Sequence, residues 1–139
     1  MADTFPERNI KHECAEYAYK CITKVMETNS SVQKDYRSEV MSTGTRIHSA
    51  GLMQTLTFYC SKISDKKPHF KELALHIMKW ILRGEKPISS GEPLPLLEFL
   101  LGQPDDKMMY FTEEAMEVTQ WLKRFADARL EKEAKPQGK

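Results

Sequence analysis

The clearest pattern of apolar and polar positions lies in residues 112–130, TEEAMEVTQWLKRFADARL. At about 100° per residue, Met108, Phe111, Ala115, Val118, Leu122, Phe125, Ala126 and Leu130 share one face. Glu113, Glu117, Gln120, Arg124, Asp127 and Glu131 fall opposite. This predicts an amphipathic helix with a wide apolar stripe, as a core-facing bundle helix requires. Glu113 and Glu114 lead while Lys123, Arg124 and Arg129 follow, an order that suits the helix dipole. Two residues depart from the pattern. Arg129 lands inside the apolar sector, and Trp121 sits at its rim. A charge on a buried stripe must snorkel at a frayed end, form an ion pair or meet a partner.

The remaining chain gives five further helices. The first covers about 5–28, with Pro6 in its first turn. Ile10, Cys14, Tyr17, Ala18, Cys21 and Val25 share a face, widened by Ala15, Ile22 and Met26. Asn29-Ser30-Ser31 breaks it, with Ser30 or Ser31 as the expected cap of the next helix. The second helix starts near Val32 and carries Tyr36, Val40 and Ile47 at helical intervals. Propensity alone breaks it at Gly44, within the weak stretch Ser42-Thr43-Gly44-Thr45. Gly51 marks the turn into a third helix, about 52–63. Leu52, Leu56, Tyr59, Cys60 and Ile63 make its stripe, while Met53 and Phe58 point elsewhere. Being apolar on more than one side, it is expected at the centre of the fold. A fourth helix runs over 68–83 and stops at Gly84. After the loop-like 85–95 come a short helix at 94–101 and a last one, capped by Asp105 or Asp106 and running to about Glu131. No strand-like alternation and no internal repeat is present. The expected fold is all-α, a compact bundle of about six helices in a single domain over 1–139. Its N- and C-terminal helices should pack near each other, with 1–4 loose and 132–139 frayed.

Composition narrows the chemistry. A net charge of +1 announces neither nucleic acid nor membrane, so any basic surface must be local. The chain has no apolar run long enough to span a bilayer, and its polar start does not resemble a secretory signal. A cytoplasmic location and no membrane partner are expected. Cys14 and Cys21 stand about 10 Å apart along one helix, beyond the reach of about 7 Å that a disulfide tolerates. With Cys60 alone, all three read as small buried hydrophobes of a reducing compartment. Phosphate-loop, nucleophile-elbow and zincin motifs are absent. His69, Glu72 and His76 lie along one side of the fourth helix, a weak metal-site spacing that a charged surface carrying two histidines explains equally. No catalytic residue, no metal site and no cofactor is therefore predicted.

Two blocks carry a family resemblance. WLKRFADA at 121–128 follows TEEAM at 112–116, and GLMQTLTFYCSK at 51–62 follows Tyr36. In this order they resemble the small helical subunit of the type III-B CRISPR effector, the Cmr complex, over roughly 17–129. The resemblance implies an unbroken second helix ending near Ser49. The chain departs from it at Ser42–Thr45, polar where the family carries an apolar, proline-containing segment, and after Arg129.

What the resemblance implies is a non-catalytic subunit of an RNA-guided antiviral effector, not an enzyme. Copies would stack on one another beside the backbone subunits and help hold guide and target RNA through sequence-independent contacts. Implied partners are other Cmr subunits, further copies of this chain, CRISPR RNA and target RNA. Arg46, Lys62, Lys123 and Arg124, in or beside the two blocks, become RNA-contact candidates, although any one of them also fits a solvated helix face. Met53, Phe58, Trp121 and Arg129 become candidates for subunit interfaces, with core packing the alternative for the first three. The rival classes are a helical adaptor that binds protein without RNA, a carboxylate–histidine enzyme in a bundle, and a helix-turn-helix DNA binder. The last lacks a strongly basic helix.

Overall fold

The computed structural model of the chain describes residues 10–85 and 91–132. The expectations for residues 1–9, 86–90 and 133–139 lie outside the described residues. Six helices follow in order: α1 Ile10–Met26, α2 Ser30–Ala50, α3 Leu52–Ser61, α4 Pro68–Ile81, α5 Pro93–Leu101 and α6 Asp105–Arg129. The fold is all-α, a compact helical bundle, as the periodicity predicts.

The last helix organises the bundle. It packs against α1, α2 and α4, with α1 its most extensive neighbour. Phe111, Ala115, Val118, Leu122, Ala126 and Leu130 of its predicted stripe are buried. Met108 and Phe125 pack half-buried at the margins. Its C-terminal end is clasped by the start of the bundle. Arg129 Nη1 donates to Thr23 Oγ1 at 2.9 Å, and its guanidinium lies 4.1 Å from the Tyr19 ring centre. Ser30 donates to Glu131 at 2.6 Å, and the Glu131 backbone N–H donates to Gln33 at 3.2 Å. Arg37 pairs with Asp127.

Three local expectations are corrected. Asn29, not Ser30 or Ser31, caps α2: its Oδ1 accepts from Val32 N at 2.9 Å. Pro104 is the cap residue of α6, which leaves Asp105 and Asp106 inside the first turn, where their charge meets the positive end of the dipole. The central helix is α4 rather than α3. Leu73 through Met78 are buried without interruption, and α4 contacts every other helix. The second apolar side of α3 faces outward instead.

Tertiary contacts override propensity in α2, which runs unbroken through Gly44 to Ala50. Tyr36, Val40, Thr43 and Ile47 are buried at helical spacing. The Thr43 hydroxyl lies 2.7 Å from the Tyr59 hydroxyl of α3 and donates to Glu39 O at 3.0 Å. Gly51, at φ 91°, turns the chain into α3. Gly44 is different. A methyl group built there meets nothing within 4 Å, so no packing within the chain requires a glycine. Gly44→Ala is expected to raise stability by about 0.5–1 kcal/mol through helix propensity alone. A thermal melt followed by circular dichroism should move up by a few degrees; a fall would mean that the helix is strained there.

Candidate functional site

Contacts between α2 and α6 run in opposite chain directions: Gln33 meets Glu131, and Arg37 meets Asp127. The two helices are therefore antiparallel, and further along the pairing they part. Met41, Gly44, Thr45 and His48 on α2 face Met116, Thr119, Gln120 and Lys123 on α6 across a groove of about 340 Å³. Each set follows the spacing i, i+3, i+4, i+7, so each is a single stripe along one helix face. Met41, Gln120 and Lys123 also line an adjoining hollow of about 210 Å³, completed by Arg124 and Asp127. Methionines flank the groove and polar groups fill it.

The electrostatics of this groove are one-sided. Asp127, its only acidic lining residue, is already paired with Arg37. Lys123 and Arg124 are exposed, and no ion pair engages either of them among the described residues. At the floor, Thr119 is 1% exposed and its hydroxyl has no hydrogen-bond partner. A buried hydroxyl without a partner is uncommon and calls for an explanation.

Arg46 and Lys62 lie elsewhere. Arg46 projects from the opposite flank of α2, towards α3. It pairs with Glu39 at 2.9 Å and lies 4.5 Å from the Phe58 ring centre. The exposed Lys62 ammonium reaches the same ring at 5.6 Å. The four basic candidates thus form two groups. One is free in a groove; in the other, Arg46 is held by a carboxylate and an aromatic face.

The interface candidates divide as well. Met53 and Phe58 are half-buried and line an outward hollow of about 310 Å³ with Gln54, Thr57, Ser61 and Leu101. Leu101 is 67% exposed, so this is an apolar patch on the surface. Trp121 stacks on Phe125 at 5.8 Å and donates its indole N–H to Glu117 at 3.1 Å. Arg129 belongs to the clasp on α1. Spacing along the sequence gave no sign of that role, because Tyr19 and Thr23 lie more than a hundred residues away.

The histidines of α4 are buried rather than displayed on a charged surface. His69 is 3% exposed and His76 7%. The Tyr36 hydroxyl lies 2.8 Å from His76 Nδ1, and the Tyr17 hydroxyl donates to the His76 carbonyl at 2.6 Å. Burial pushes the His76 pKa down to about 3. His69 Nδ1 stands 3.8 Å from Asp35 Oδ2, and burial lowers its pKa too. Among the described residues, no three His, Cys, Asp or Glu side chains are grouped to hold a metal ion. Cys14 and Cys21 are buried free thiols, and burial pushes both pKa values up to about 12.

Fold and surface together define a small all-α bundle whose surface recesses include a basic, polar one and an apolar one of opposite character. No helix among the described residues is long and apolar enough to cross a membrane. The chain belongs to the CRISPR-associated Cmr5 family (Cas_Cmr5), whose family model matches residues 10–129. It is thus a Cmr subunit of type III-B systems, a partner of other Cmr subunits. Among curated proteins no relative matches the chain.

Proposed function

We propose that this protein is the non-catalytic small subunit of a type III-B RNA-guided effector in antiviral defence, working in the cytoplasm. It stacks beside the backbone subunits and helps to hold guide and target RNA without reading sequence. The observation that carries this reading is the groove between α2 and α6, where Lys123 and Arg124 stand exposed while the one carboxylate is neutralised by Arg37. Cations on an open surface suit phosphates, whose neutralisation releases counterions irrespective of base identity. The apolar recess around Met53, Phe58 and Leu101 suits a protein neighbour. It is also the observation that favours the second reading, a helical adaptor that binds protein alone.

A tagged chain expressed with the other Cmr subunits and a CRISPR array should bring down both those subunits and small RNA. Mild ribonuclease treatment separates the readings. Subunits recovered with protected RNA fit the effector role. Recovery of one protein partner and no RNA, before or after treatment, would leave the fold intact and promote the adaptor.

A further inference from the structure

We infer that the groove between α2 and α6 is where this subunit docks a single-stranded RNA backbone, and that Gly44 is there to let the strand lie close to the helix. The inference rests on the RNA-holding role proposed above and gives it a place. Three independent observations meet in the groove. First, Gly44 sits inside a 21-residue helix, where glycine weakens helix formation relative to alanine. A Cβ there would meet nothing of the chain within 4 Å. No neighbouring side chain or backbone demands the glycine, and its conformation is ordinary helix. The remaining use of a missing side chain is the approach of a ligand to the backbone. Second, the Thr119 hydroxyl is buried without a partner on a residue lining the same groove. Third, Lys123 and Arg124 stand at one end with the local carboxylate already engaged, and His48 and Thr45 stand at the other.

The lining matches the chemistry of a ribose–phosphate chain. Lys123 and Arg124 face the phosphates. Gln120, Thr45 and His48 offer hydrogen bonds to sugar and phosphate oxygens. Met41 and Met116 give apolar shoulders on which a sugar or base face can rest. Contacts of this kind go to phosphate and sugar rather than to base edges, so docking is indifferent to sequence. Arg46 and Lys62, on the other flank, take no part.

The test titrates a labelled, mixed-sequence single-stranded RNA with the full chain over a range of salt. Gly44→Leu fills the groove without removing a charge, and it introduces a good helix former, so folding is retained. It should weaken binding roughly tenfold, while Gly44→Ala, which adds only a methyl group, should weaken it by a smaller but measurable factor. Lys123→Gln with Arg124→Gln should flatten the dependence of log affinity on log salt by about 1.4, the value for two lost phosphate contacts on a single strand. Arg46→Gln with Lys62→Gln should leave that slope unchanged. If wild type binds RNA and both groove variants bind it equally well, the RNA lies elsewhere and the groove assignment falls while the effector role stands. If wild type shows no salt-sensitive affinity, alone or assembled, the RNA-holding role falls and takes the groove with it. In the assembled complex, a Gly44→Leu chain that loses guide RNA places the guide strand in the groove. One that keeps the guide but loses target affinity places the target strand there.

Discussion

Lowering the pH from 7.5 to 5 is expected to cost the folded chain about 2 kcal/mol through His76 alone. The ring is buried, and its pKa falls from an ordinary 6.5 to about 3, chiefly because burial disfavours the charged form. Lys79 and Lys24 add to that effect. Glu72, whose Oε1 stands 3.8 Å from Nε2, favours the tautomer with the ring proton on that nitrogen. Nδ1 is then free to accept from the Tyr36 hydroxyl. Protonating Nδ1 would remove that acceptor inside the core. The sign follows from the two pKa values. The unfolded chain takes up a proton near pH 6.5, and the folded chain does so only near 3. The stability is therefore complete above about 6.5 and falls by about 1.4 kcal/mol for each pH unit below it, until about pH 3. Urea unfolding at a series of pH values, for wild type and His76→Gln, isolates the contribution. The difference between pH 7.5 and pH 5, taken within each protein, should be about 2 kcal/mol smaller in the variant. Carboxylates and His69 remain in both and cancel. Equal differences in the two proteins would show that His76 keeps its ordinary affinity for protons.

Phe111→Ala is expected to have the largest effect of any single truncation on α6, a loss of about 3–5 kcal/mol. The ring is 1% exposed, on the helix that touches α1, α2 and α4. Its removal forfeits the transfer free energy of an aromatic side chain and leaves a cavity that the surrounding core closes only in part. Domains of this size are stable by about 5–15 kcal/mol, so the variant retains a marginal fold. The denaturation midpoint should drop with little change in slope. Met109→Ala, two residues earlier and 69% exposed, should move it hardly at all. A loss below about 1 kcal/mol at Phe111 would contradict the rotational placement of α6.

The outcome at these two positions differs in how far the sequence foretold it. Phe111 was legible because α6 is long and strictly periodic, so its helical phase alone chose the buried face. Periodicity also gave the number and order of the helices and the pairing of the first with the last. At His76 a helical wheel misleads, because it records polarity and not enclosure: α4 contacts every other helix, and its histidines are carried inside with it. The apolar second side of α3 misleads in the reverse sense. Met53 and Phe58 look like core residues in the sequence but face an outward hollow. The candidate site was half legible. Lys123 and Arg124 emerged through the family-like block, yet their separation from Arg46 and Lys62 depends on which neighbour each flank of α2 meets. In the sequence alone, Gly44 reads only as a weakness in a helix. Only the empty space above it turns that weakness into the floor of a groove.

The position of α6 in the bundle also governs how the protein is made. A ribosome delivers α1, α2 and α4 before the helix that covers all three, and contacts such as Arg129 with Thr23 close a loop of 106 residues. Until α6 emerges, the nascent chain shows the apolar faces of three helices to its surroundings. Bundles stabilised by local contacts fold quickly, but a first-to-last closure of this length is slow to find. The burden of protecting the growing polypeptide, and the exposure to chaperones and proteases that goes with it, thus falls on the interval just before synthesis of the last helix is complete.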